Sequence, residues 1–333
     1  RPPVYDRAGL ALDDAAHARL AAEGRRPHWR FLLDREPVVW NDLVRGEQSI
    51  DAASLSDPVL IREDGRPLYT LTSVVDDAEL AVTHVIRGED HVANTAVQVQ
   101  LFQALGHAVP EFGHFALVVD ADGAPLSKRA GSLNLGALRA AGTEPLAVVS
   151  LLARLGTADP VEPFHSLAAV TEAFDLQRFG RAAARFEERE LERLSAAIIH
   201  ATPPEAALTR AAADGLPPLS ADLWMAVRDN LDRFADIRDW QAVVQQPLQP
   251  VIGDDDRAML DQAAGLFPAG EPDIETWAGW TQAIRVETGR KGKALFLPLR
   301  LALTGREHGP EMKKLLPLLG RARILGRLRG ETA

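Results

Sequence analysis

The sequence predicts an α/β region followed by an all-α region, and three observations carry that reading. From Leu68 to Val119 near-continuous apolar runs alternate with one helical pattern, the signature of a buried parallel sheet. Beyond Leu133 apolar residues recur at three- and four-residue spacing, with breaks at Gly, Pro and Asp, as amphipathic helices require. Before Leu68 short strand-like runs mix with a single Ala-rich helical pattern, which reads as a small α+β unit. A length of 333 residues is long for one core and points to two or three domains of about 100 to 200 residues each.

In chain order, a helix is expected from Leu12 to Glu23, stopped by Gly24-Arg25-Arg26-Pro27. His28 to Leu33, Pro37 to Trp40 and Asp57 to Arg62 are strand candidates, with turns at Asn41-Asp42, Gly46 and Glu63-Asp64-Gly65. Leu71 to Val75 and Ala81 to Ile86 follow as strands, with Tyr69 near the start of the first. A helix from Thr95 to Leu105 takes Asn94 as its N-cap and Gly106 as its stop. Phe115 to Val119 is a strand leading through Asp120-Ala121-Asp122-Gly123 into the loop Pro125 to Ser132. Helical patterns then occupy Pro145 to Leu155, Ser166 to Ala173, Glu187 to Ile199, Pro204 to Ala212, Ala221 to Asp229 and Trp240 to Val244. Four more occupy Asp254 to Ala264, Ile274 to Glu287, Ala294 to Thr304 and Glu311 to Leu328. A domain boundary is expected at Ala201-Thr202-Pro203-Pro204, and no fixed-period repeat emerges.

Composition narrows the function classes. The hydrophobic fraction of 46% suits a protein with a sizeable core, and no run approaches the roughly 18 apolar residues that span a bilayer. A soluble, cytoplasmic protein with no membrane partner is expected. With no cysteine there is neither a disulfide framework nor a thiolate zinc site, and His91, His107 and His114 lack metal-ligand spacing. Of the total charge of -10, the segment from Arg285 to Gly330 holds twelve Lys or Arg against three Glu, a net +9, which leaves -19 on the remainder. Such asymmetry is the footprint of a polyanion-binding end on an otherwise acidic protein, although amphipathic helices with solvated cations give the same count.

Three clusters carry chemistry: Tyr69, the run Arg87-Gly88-Glu89-Asp90-His91 at a strand end, and the loop Leu126-Ser127-Lys128-Arg129. In open parallel sheets ligands bind beyond the carboxyl ends of the strands. Taken alone, each cluster also has a plain structural reading: a core tyrosine, a solvated turn with internal ion pairing, a basic surface turn. Asp76-Asp77 reads as an acid pair in a turn rather than a metal ligand set.

Their order reaches a family. Leu68-Tyr69 through Val74-Val75-Asp76-Asp77, then Thr83-His84-Val85-Ile86-Arg87-Gly88-Glu89-Asp90-His91, Asn94-Thr95, Pro110-Glu111-Phe112 and Leu126-Ser127-Lys128-Arg129 closely resemble bacterial glutamyl-tRNA synthetases, class I enzymes. The resemblance extends upstream through Asn41-Asp42-Leu43-Val44-Arg45-Gly46-Glu47. Downstream it takes in Lys291-Gly292-Lys293-Ala294-Leu295-Phe296, Pro298-Leu299-Arg300 and Ala302-Leu303-Thr304-Gly305.

The resemblance implies the C-terminal half of a class I Rossmann-like catalytic domain with an adjacent α+β acceptor-binding region. Helical stem-contact and anticodon-binding domains follow. The divisions would be 1–65 for the connective, acceptor-binding region, 66–132 for the half domain, 133–204 for the stem-contact region and 205–333 for the anticodon-binding domain. It implies a glutamate-tRNA ligase that uses ATP with Mg2+ on its phosphates, binds glutamate and tRNA, needs no zinc and acts as a monomer in protein biosynthesis.

Leu126-Ser127-Lys128-Arg129 would be the family's second signature, usually Lys-Met-Ser-Lys-Ser, with Lys128 on the ATP phosphates and Ser127 and Arg129 beside it. Pro125 stands where that signature has its first lysine. Arg87 would grip a carboxylate of glutamate through a bidentate fork, assisted by the Tyr69 hydroxyl. Glu89, Asp90, His91 and Leu126 would border ATP, and Arg290, Lys291 and Lys293 would meet tRNA. Anticodon-contacting residues are expected near Asp229 to Asp239. The family's first signature, His-x-Gly-His, does not occur in these 333 residues, which begin at Arg1. The expectation is therefore a portion of a longer enzyme that by itself does not activate glutamate. Alternatives are a paralogue charging tRNA for glutamine and a catalytically silent tRNA-binding fragment.

Overall fold

The computed structural model describes residues 4–120, 122–124 and 134–333. The chain divides into two compact units, one of Arg1–Ser132, Arg154–Pro160 and Ala173–Glu187, the other of Leu133–Ala153, Val161–Glu172 and Glu188–Ala333.

The first unit opens with helix α1 (Asp14–Ala22), where the Asp13 carboxylate accepts from the Ala16 N–H as N-cap. Strand β1 (Trp29–Arg30) pairs antiparallel with β4 (Val59–Ile61). Between them lie β2 (Pro37–Asp42) and β3 (Gly46–Asp51), an antiparallel hairpin in which Asp42 faces Gly46. Helix α2 (Tyr69–Glu79), strand β5 (His84–Gly88), helix α3 (Val92–Ala104) and strand β6 (Glu111–Phe115) follow. The four-stranded sheet runs β3-β2-β6-β5, with β6 parallel to both β2 and β5. Its core gathers Val38, Val74, Ala96, Val97, Leu101, Phe102 and Phe112. A short parallel pair, β7 (Val118–Val119) with β8 (Ala184–Arg185), completes the unit.

Several sequence expectations are corrected here. Leu71 to Val75 is not a strand but the middle of α2, which also takes Asp76-Asp77 out of a turn. Val74 is fully buried, with Leu71, Val75 and Ala78 partly buried around it. A short apolar run with β-branched residues cannot be told from a helix segment without that three- and four-residue spacing. Helix α3 begins three residues before Thr95, capped at His91 rather than Asn94. Its end follows expectation: Gly106 takes φ 76, and the Gly106 and His107 N–H groups reach back to the Gln103 and Phe102 carbonyls, as a Schellman cap requires. The pairing of β8 with β7 has no counterpart in the sequence reading, because two residues carry no period.

The second unit is helical. It contains α4 (Leu135–Ala140), α5 (Pro145–Arg154), α6 (Leu167–Ala173), α7 (Glu188–Ala201), α8 (Pro204–Ala213) and α9 (Ala221–Val227). Then come α10 (Ile237–Gln245), α11 (Arg257–Gly265), α12 (Thr276–Thr288), α13 (Lys293–Thr304) and α14 (Met312–Leu328), the last kinked at Gly320. From α7 onward one apolar core runs through Leu223, Trp224, Trp280, Leu299 and Leu315. The Trp224 and Trp280 indole N–H groups donate to the Thr202 and Ala263 carbonyls at 3.0 and 2.9 Å, so neither polar edge is left unsatisfied in the core. Among the described residues no helix is long and apolar enough to cross a membrane.

Candidate active site

Strand β5 delivers Arg87 to the carboxyl end of the parallel strands, where its guanidinium is surrounded by side chains from three other elements. Its Nε donates to His114 Nε2 on β6 at 3.2 Å, and its Nη2 donates to Thr95 Oγ1 and Gln98 Oε1 on α3, both at 2.7 Å. Nη2 also lies 3.4 Å from the His91 carbonyl. Gln98 is fixed in turn by donating from Nε2 to Ser73 Oγ on α2 at 2.8 Å. Thr95 and Gln98 are three apart on one helical face, which is why one helix supplies both partners. Nη1 points the other way and donates to Tyr69 Oη, on an exposed side chain at the start of α2, at 3.3 Å.

A guanidinium has five N–H donors and cannot accept. Nε and Nη2 are already engaged by the protein, so the fork expected to face a carboxylate is closed, and Nη1 with the Tyr69 hydroxyl forms the open side.

Behind Arg87 lies a fully buried couple. His114 Nδ1 is 2.5 Å from Asp42 Oδ2, while Asp42 Oδ1 accepts the backbone N–H groups of Val44, Arg45 and His114 at 3.1, 2.9 and 3.1 Å. Burial pushes the Asp42 carboxyl up, but the hydrogen bonds from His114 and those backbone groups outweigh it and hold it below the usual carboxylate range. Burial holds the His114 imidazole below its ordinary value, with Arg87 and Arg45 adding to the effect and Asp42 opposing it. The couple is therefore an anionic Asp42 and a neutral His114. Asp77, on α2, is raised by burial and by Asp76, against the pull of Arg87.

The other site candidates of this unit gather nearby. Glu89 accepts from Arg45 Nη1 at 2.5 Å, and its second oxygen accepts the Leu117 N–H at 3.4 Å. The Tyr69 and His91 rings lie 5.8 Å apart. Asp90 is exposed and 3.8 Å from His91 Nε2. A Cβ at Gly88 would come within 2.6 Å of Asp90 Oδ1 and 3.3 Å of Leu117 Cδ2, so the turn from β5 to this cluster is tight. Leu126, Ser127, Lys128 and Arg129, with Pro125, lie outside the described residues. Asp42, His114, Thr95 and Gln98 were missed by sequence reasoning: Asn41-Asp42 read as a turn and His114 was weighed only as a metal ligand.

In the second unit, Lys291 and Lys293 are exposed, whereas the Arg290 guanidinium is committed to Asp256 and to the Asp255 carbonyl. Other cations of the basic segment are structural. Arg327 is fully buried, donates to the Ala333, Leu303 and Gln246 carbonyls at 2.7, 2.7 and 3.1 Å, and is lowered by burial to about 10. Arg300 donates to the Pro310 carbonyl at 2.8 Å, and Arg306 pairs with Asp239 at 2.9 Å over the Trp240 ring.

Comparison with known proteins agrees with this architecture. A family model for the catalytic domain of class I tRNA synthetases (E and Q) matches residues 1–193, and one for an anticodon binding domain matches residues 222–331. Glutamate--tRNA ligase 2 of Methylorubrum populi is 56% identical over 333 residues, covering 100% of this chain and 74% of the relative. Glutamate--tRNA ligase 1 of Maricaulis maris is 53% identical over 334 residues, with the same shares covered. The crystal structure of a glutamate tRNA ligase from Elizabethkingia meningosepticum in complex with its amino acid superposes with a TM-score of 0.78 at 22% identity, covering 96% of this chain and 71% of that one. That last likeness bears on the fold alone. The sequence matches decide the family: the chain belongs to the class I tRNA synthetases (E and Q).

Proposed function

We propose that the protein is a glutamate-tRNA ligase, and the observation that carries this reading is the arrangement of Arg87. Its inner N–H groups are occupied by His114, Thr95 and Gln98, which leaves Nη1 and the Tyr69 hydroxyl turned outward. A cation held in this way suits a substrate that brings its own carboxylate, and an acidic amino acid supplies one beyond the carboxylate that reacts. Identity above half over the whole chain with proteins named for glutamate supports the same choice.

In the first step the α-carboxylate of glutamate attacks the α-phosphorus of ATP, and pyrophosphate leaves with the bonding electrons of the broken P–O bond. In the second, a ribose hydroxyl at the 3′ end of tRNA attacks the carbonyl of the mixed anhydride, loses its proton and expels AMP. The carboxylate is already a nucleophile, so the protein contributes position and charge rather than a general base. Lys128, flanked by Ser127 and Arg129, neutralises the phosphates, with Mg2+ on ATP itself, and Leu126, Glu89, Asp90 and His91 border the nucleotide. Lys291 and Lys293 meet tRNA phosphates, while Arg290 contributes through its hold on Asp256. Residues 1–65, 66–132, 133–204 and 205–333 serve as acceptor-binding, catalytic, stem-contact and anticodon-binding segments of a cytoplasmic monomer.

The test is ATP–pyrophosphate exchange in the presence of tRNA, using the protein expressed from its complete reading frame. Arg87→Ala removes a charge-assisted hydrogen bond worth about 1.5 to 3 kcal/mol, so the glutamate KM should rise about ten- to a hundredfold while the ATP KM stays within about twofold. An unchanged glutamate KM refutes the assignment of Arg87.

A further inference from the structure

We propose that Asp42 and His114 are positioning residues for substrate binding: Asp42 fixes His114 as the Nδ1–H tautomer, and the bare Nε2 of that tautomer holds Arg87 with Nη1 facing the ligand. This rests on the reading of Arg87 as the residue that meets the glutamate carboxylate.

The tautomer follows from both neighbours of the ring independently. Arg87 Nε can only donate, and its N–H is directed at His114 Nε2 from 3.2 Å; a proton on Nε2 would set two donors against each other. On the opposite side, Asp42 Oδ2 lies 2.5 Å from Nδ1 and an ionised carboxylate can only accept, so the imidazole proton belongs on Nδ1. The Thr95 hydroxyl, 3.0 Å from Nε2, shares that acceptor or donates to the His91 carbonyl at 3.3 Å. The Phe112 ring lies nearly parallel to the imidazole, 12° off with the centroids 6.3 Å apart. Both side chains are fully buried, so the couple does not touch substrate. It acts through Arg87, as hydrogen-bonded supporting residues orient the groups that do.

Asp42→Asn separates this role from mere packing. Oδ1 accepts three backbone N–H groups, so the replacement amide must keep its oxygen there and turn its NH2 toward His114 Nδ1. The ring is then forced to carry its proton on Nε2, opposite Arg87 Nε, and the guanidinium loses its inner support without any change of volume.

Three readouts on the protein from its complete reading frame decide the matter. In the unaltered protein, 15N-labelled histidine spectra should show His114 protonated on Nδ1; protonation on Nε2 overturns the proposal and needs no variant. In Asp42→Asn the proton should move to Nε2 and the glutamate KM should rise about ten- to a hundredfold, the range for lost supporting residues, with the ATP and tRNA KM values within about twofold. A glutamate KM that stays put in a folded Asp42→Asn overturns it, as does an equal rise for all three substrates, which marks general damage. Arg87→Lys is measured alongside. If that variant leaves the glutamate KM unchanged, the reading of Arg87 fails; if it raises the KM and Asp42→Asn does not, the positioning role alone fails.

Discussion

The imidazole of His114 sits between a carboxylate and a guanidinium, and this placement sets how the first unit responds to acid. In the folded protein burial disfavours the charged form of the ring, against the pull of Asp42 and with Arg87 and Arg45 adding to the effect, so its value lies below the ordinary one. An unfolded chain lets the same ring protonate at its ordinary value of 6.5. A histidine with a lowered folded value contributes stability above the unfolded value and loses it as pH falls from there toward the folded value. Asp42 and Asp57, both held low, add a second loss only as pH falls through the acid range below 3.8. The denaturation midpoint of the protein should therefore decline on acidification from about pH 7 to about pH 5, and His114→Gln should flatten that decline. A His114→Gln variant with the same slope as the unaltered protein would show that this ring does not carry the dependence. None of this was legible in the sequence. Arg87 could be found because it stands in a run of polar residues at a strand end, but Asp42 and His114 are seventy-two positions apart, and only the parallel pairing of β2 with β6 brings them together.

At the level of elements, helices were easy to read and the strands beside them were not. Most of the second unit's helices bury one face, so period and breaks gave their positions from α5 onward within a few residues, whereas α4 buries no residue and left no such signal. Helix α2 failed the same test because its apolar run is short and rich in Val, Thr and Leu, and strand and helix preferences overlap there. Tight approaches between elements were also invisible. Gly309, in the connection from α13 to α14, has φ 146, and an added Cβ would lie 2.2 Å from Trp240 Cη2 on α10. The indole is a rigid, buried obstacle, clamped on its face by Arg306. Gly309→Ala should destabilise the protein by about 1 to 3 kcal/mol through overpacking and backbone strain, read as a lower denaturant midpoint with an unchanged slope. A midpoint equal to that of the unaltered protein would mean the loop moves aside at no cost.

For the whole molecule, the net +9 of residues 285 to 330 overstates the surface available to a polyanion. Arg327 serves as an internal cap for three carbonyls, Arg300 is half-buried, and Arg290 and Arg306 are paired with aspartates. A charge count sees residues, whereas a nucleic acid meets only those cations whose charge is not already spent on the fold. Family membership was legible because many short runs appear in the right order, although no single run would have sufficed. The assignment of this chain to an enzyme that puts glutamate on tRNA rests on its family and its relatives. Its most direct test is acylation of purified tRNA for glutamate by the protein from its complete reading frame, with glutamate, glutamine and aspartate each supplied with ATP. Glutamate should give an ester-linked glutamyl product, with no comparable product from the other two; a product with glutamine or aspartate, or none with glutamate, would overturn the assignment.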